Sequence, residues 1–138
     1  MQIQQASWSE LMSGRNAALV LALSVGVTLH AINIYISTTI LPTVVADIGG
    51  LHLYAWNTTL FVVASIIGAA VSTRLLQKYG AKVAYALAST LVFIGSLLAT
   101  LAPDMSVMLI GRTLQGTGGG VLLSLGYAVV AQVFDQSL

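Results

Sequence analysis

Four stretches of this chain contain no Asp, Glu, Lys or Arg: residues 16–46, 48–73, 83–103 and 113–134, which are 31, 26, 21 and 22 residues long. A helix needs about 20 mainly apolar residues to cross a hydrocarbon layer of about 30 Å, so each stretch is long enough to span a membrane. Together they occupy 100 of 138 positions, and only 7% of the chain is charged, against about 25% in an ordinary soluble domain. The sequence therefore predicts an all-α membrane protein with four antiparallel transmembrane helices, its main partner being the lipid bilayer. Expected spans run over about 16–41, 54–73, 83–102 and 106–134, after an N-terminal segment, residues 1–15. There Trp8, Leu11 and Met12 can lay a short amphipathic turn on the membrane surface.

The same numbers exclude other classes. A net charge of +1 offers no basic face for nucleic acid, and 57% apolar residues exclude a disordered chain. Cysteine is absent, which removes disulfides, thiolate metal sites and thiol nucleophiles. The first apolar stretch exceeds the 7–15 residues of a secretory h-region and is followed by three more, so it reads as a retained span. No nucleophile and base pair, phosphate loop or dinucleotide fingerprint is present. His30 and His52 lack acidic neighbours at ligand spacing, so neither an enzyme, a cofactor nor a metal is expected.

Turn chemistry separates the stretches: Pro42 with Gly49 and Gly50, then Gly80, then Pro103 and Asp104. Arg15 precedes the first span, and Arg74, Lys78 and Lys82 cluster between the second and third. The segments around Asp47 and His52, and around Asp104, carry no Lys or Arg. The positive-inside rule places both termini and the cation cluster in the cytoplasm, in a multi-pass protein of the inner (plasma) membrane. Small residues recur at helical spacing in span 2 (Ser65, Gly68, Ala69, Ser72) and in span 4 (Gly116, Gly119, Gly120, Gly126), a code for close helix packing.

Two polar stripes cross this apolar background. On span 1, Gly26, His30, Asn33 and Ser37 follow an i, i+4, i+7, i+11 rhythm that puts them on one narrow face. On span 4, Arg112, Gln115, Gly116 and Gly119 do the same, and Arg112 is the one permanent charge at membrane depth. Such groups are expensive in hydrocarbon and usually mark a substrate or ion path. Interhelical hydrogen bonding is the plain alternative for Asn33 and Ser37, as packing is for His30. A histidine at that position is also able to titrate near neutrality.

At these residues the chain resembles the N-terminal part of a major facilitator superfamily transporter, most closely the fourteen-span multidrug and proton antiporters. GRTLQGTGGG, residues 111–120, resembles the fourth-helix antiporter motif, with Arg112, Gln115, Gly116 and Gly118 in its defining positions. ILPTVVADIGG, residues 40–50, is similar to the end of the family's first helix. WNTTLFVVAS, residues 56–65, is similar to the opening of the second, with Phe61 where Tyr is common. The cytoplasmic loop signature is partial in TRLLQKYGAK, residues 73–82: Leu75, Lys78, Gly80 and Lys82 fit, while Thr73 and Gln77 replace a Gly and an Asp. The acid of the first helix falls at Asn33, so these stretches hold no intramembrane carboxylate.

The resemblance implies four helices of a six-helix half whose substrate site lies near the midplane between halves. On that reading the chain is a fragment of a longer transporter, or a truncated gene product. Its further partners are a small-molecule substrate, protons and the remaining helices, and its activity is drug or solute export by alternating access. Two other readings stay open: a small four-helix exporter acting as a dimer, and a membrane anchor or assembly subunit that transports nothing.

Overall fold

A computed structural model describes residues 14–135, so the surface turn expected around Trp8, Leu11 and Met12 lies outside the described residues. Every element among them is helical: α1 over Gly14–Ile48, a single 3-10 turn over Leu51–Leu53, α2 over Tyr54–Thr100 and α3 over Met105–Asp135. No strand forms among the described residues.

The junctions follow from local chemistry. At the end of α1, Gly49 takes φ 72° and its N–H donates to the Val45 carbonyl at 2.9 Å, the left-handed helix stop that glycine permits. Gly50 follows at φ 84°, and a Cβ there would stand 2.5 Å from Met105 Cβ, so the turn is also pressed against the start of α3. Asp104 caps α3, its Oδ1 accepting from the Val107 N–H at 3.1 Å. Gly80 interrupts α2 with φ 77° and ψ 165°, a conformation essentially restricted to glycine. Two limbs result, residues 54–79 and 81–100.

Two sequence expectations need correction. Pro42 forms no turn; it sits inside α1, which continues for six more residues. Its missing N–H and ring clash disfavour a helix interior by about 3 kcal/mol or more. Packing holds the helix through it: Leu41 is buried with Met105, Met108 and Leu109, and Val44, Val45 and Ile48 close over the same cluster. The short link expected between the second and third spans, residues 74–82, is not a loop either. Leu75, Lys78 and Lys82 lie on helix, and Gly80 alone makes the reversal.

Contacts along α3 orient the two limbs. On the first limb, Phe61 meets Gly116, Ser65 meets Gly120, and the Ser72 and Ser124 hydroxyls are hydrogen bonded at 2.7 Å, so that limb runs parallel to α3. On the second, Ala99 meets Gly111, Gly95 meets Gln115, and Ala88 meets Gly118, so it runs antiparallel. The small residues stand at these crossings, where backbones touch. A Cβ at Gly68, Gly116 or Gly120 would land on the backbone of Thr117, Phe61 or Ser65.

Two helical stretches among the described residues, Ser24–Ile48 and Leu51–Thr100, are long and apolar enough to cross a membrane. The second would reach about 75 Å if straight, more than twice the hydrocarbon thickness, so its reversal at Gly80 decides its shape. Among the described residues no window of α3 meets that standard. Arg112, Gln115 and the glycines dilute its described part, whose side chains are largely buried. The outside is apolar instead: Leu21, Leu29, Tyr35, Ile66, Phe93 and Leu101 are all exposed. A surface of that composition suits hydrocarbon better than water.

Candidate functional site

Along α3 the buried side chains change character twice. Met105, Met108 and Leu109 belong to one apolar cluster, and Val121 and Leu125 to another with Ala84 and Ala88. Between them lie Arg112, 2% exposed, and Gln115, 9% exposed. A guanidinium this enclosed needs acceptors, since an unpaired buried charge is strongly unfavourable.

Those acceptors come from two helices. Arg112 Nη1 donates to Asn33 Oδ1 on α1 at 2.8 Å and to Gln115 Oε1, one turn along α3, at 2.7 Å. Gln115 uses the other end of its amide, Nε2 donating to Ser96 Oγ on the second limb of α2 at 2.8 Å. The first limb supplies an aromatic face: Arg112 Cζ lies 4.2 Å from the centroid of the Phe61 ring, within cation–π range. His30 packs on the same ring with centroids 5.5 Å apart. Gly119 leaves room for it, because a Cβ there would approach the imidazole to 3.3 Å. A hydrogen-bonded chain thus runs Asn33, Arg112, Gln115, Ser96, walled by Phe61 and His30, and draws on α1, both limbs of α2 and α3.

Some polar capacity stays unused. Asn57, 0% exposed, has neither its Oδ1 nor its Nδ2 paired, and Arg112 Nε is buried without an acceptor. Each such group costs about 1–3 kcal/mol relative to a paired one. Among the described residues no three of His, Cys, Asp and Glu converge as metal ligands would.

The structure brings together most of the residues singled out from the sequence. Arg112, Gln115 and Asn33 are bonded, His30 joins them through Phe61, and Gly116 seats the Phe61 backbone. Gly118 serves a different contact, against Ala88 and Val92 on the second limb. Gly26 faces open space. The residues expected to form the cytoplasmic loop motif lie elsewhere on α2: Leu75 packs on the Ala84 and Val121 cluster, and Lys78 Nζ lies 5.0 Å from the Tyr79 ring centroid. Ser96 and Asn57 were missed. Neither is charged, and what each one meets depends on which helix is set beside it.

Comparison with known proteins decides what family builds such a node. Residues 23–137 match the family model of the Major Facilitator Superfamily. The chain belongs to that superfamily. Membership makes it a membrane protein of a transport family. A probable multidrug-efflux transporter of Mycobacterium tuberculosis is 39% identical over 135 residues, covering 98% of this chain and 28% of its own length. Multidrug resistance protein 3 of Bacillus subtilis is 32% identical over 116 residues, 84% of this chain and 23% of its own length. A multidrug transporter protein of the same organism is 27% identical over 120 residues, 87% of this chain and 22% of its own length. The chain therefore spans only about a quarter of these superfamily relatives. No solved structure matches it.

Proposed function

We propose that this chain supplies the first four transmembrane helices of a secondary transporter that exports a small organic solute or drug by alternating access, coupled to protons. α1, the two limbs of α2 and α3 are its spans, in the inner (plasma) membrane, with the N-terminus and the Gly80 reversal in the cytoplasm. Further helices of the transporter complete the substrate path.

One observation carries this reading: a buried cation, Arg112, is bonded to neutral partners on α1 and α3 and linked through Gln115 to the second limb of α2. An inert anchor has no use for that cost. The relatives' names, which speak of multidrug efflux, support export of organic solutes. With Asn33 where the family has its first-helix acid, proton coupling is assigned to His30 together with groups on the remaining helices.

The test is Arg112→Ala and Arg112→Lys in the complete transporter, read as solute export from everted vesicles. Both variants are expected to insert and to lose most export, Lys because it cannot make the planar multi-donor contacts. Normal export by Arg112→Ala with an unchanged pH profile would overturn the proposal.

A further inference from the structure

The unused donors of the node are placed side by side by helix register. Phe61 faces Gly116 and Ser65 faces Gly120, so one turn earlier the same parallel register sets Asn57 opposite Arg112. Asn57 is fully enclosed with both its Oδ1 and its Nδ2 unpaired, and Arg112 Nε is buried without an acceptor. Two N–H donors, Asn57 Nδ2 and Arg112 Nε, the latter on a full positive charge, are thus held unpaired at one level of the bundle, with the Asn57 Oδ1 beside them also unbonded.

Charge points the same way. The partners that Arg112 does have, the carbonyl oxygens of Asn33 and Gln115 and the Phe61 ring, are all neutral. The described carboxylate nearest in sequence, Asp104, is eight residues away, about 12 Å along the axis, and its Oδ1 is engaged with the Val107 N–H. Beside the donors stand two flat rings, Phe61 and His30. His30 and Asn33 are only half-buried, so the node is approached from the side of α1.

We infer that Asn57 and Arg112 form a subsite for an organic anion, a solute with a carboxylate-like group attached to an apolar or aromatic body. The anion accepts from Arg112 Nε and Asn57 Nδ2, and its body extends past the half-buried His30 ring. An anionic oxygen supplies the missing acceptors and the missing countercharge at once, which a cationic or purely apolar solute does not. The inference rests on the transporter reading above and names the substrate class of that site.

The test uses the purified complete transporter and two probes of equal shape, benzoate and its neutral analogue benzamide, with binding measured by calorimetry. Benzoate is expected to bind and benzamide to bind at least about tenfold more weakly, the loss expected for a charge-assisted contact. Asn57→Leu is expected to weaken benzoate about tenfold while leaving the thermal midpoint unchanged or raised, because it removes an unpaired amide. Asn57→Ser, which keeps a donor, is expected to retain more of the binding than Leu does. No binding of benzoate, equal binding of both probes, or an unaltered benzoate affinity in Asn57→Leu would each overturn the inference. Failure is separable from failure of the transporter reading: a protein that exports a fluorescent dye but ignores benzoate is a transporter without this anion site.

Discussion

Arg112 Nη1 on α3 lies 2.8 Å from Asn33 Oδ1 on α1, a hydrogen bond between residues 79 positions apart in the chain. A hydrogen bond to a charged group contributes about 1.5–3 kcal/mol net, more than most single polar contacts. Asn33→Leu should therefore lower the thermal midpoint of the protein, and Asn33→Asp should raise it by giving Arg112 a countercharge. Thermal unfolding in detergent checks both; a Leu variant as stable as the parent would show that this bond is not made.

Two glycines on α3 make opposite predictions. A Cβ at Gly116 would fall on the Phe61 backbone, which cannot yield without moving the helix, whereas one at Gly119 would meet only the His30 ring at 3.3 Å. Gly116→Ala should destabilise by about 1–3 kcal/mol, the usual cost of overpacking. Gly119→Ala should be close to neutral in the same unfolding assay. Equal losses would mean that the helix register is wrong.

At Gly80 the argument is conformational, since open space surrounds it and the strain comes from φ 77° with ψ 165°. Replacement by Ala should cost about 1–3 kcal/mol, and D-Ala, introduced by semisynthesis, should cost much less. An L-Ala variant with unchanged stability would mean that the two limbs do not reverse here.

Cysteine labelling tests the orientation directly, because the chain has no cysteine of its own. A Cys at position 78 should be inaccessible to an impermeant reagent applied outside the cell, and Cys at 52 or 104 should react. Labelling at 78 from outside would reverse the assignment.

His30 packs at a tilt of 33° against the ring that also holds Arg112. His30→Gln in the complete transporter should flatten the pH dependence of export, because it removes the ionisable imidazole that packs on the same ring as Arg112. An unchanged profile would leave His30 as a packing residue.

The polar node was partly legible in advance. Arg112 stood out because a charge within an apolar run is costly enough to need a reason, and His30 with Asn33 because helical periodicity puts them on one face. Asn57 and Ser96 gave no such sign. Each becomes part of the site only because glycines at crossings bring backbones together and thereby set which turn of one helix faces which turn of the next. Pro42 misled for a related reason: its intrinsic helix-breaking tendency is a local term, and the Leu41 cluster with Met105 and Met108 outweighs it.

What the sequence determined by itself is therefore the set of properties that follow from local composition and spacing: helical stretches too apolar for water, reversals at Gly49, Gly50 and Gly80, and a buried cation on α3. Partnership was decided by tertiary structure. That Arg112 reaches Asn33, that Gln115 reaches Ser96, and that Asn57 is enclosed with nothing to bond depend on register between helices. Register is set by backbone contacts between residues far apart in the chain, and those distances are encoded in no single segment.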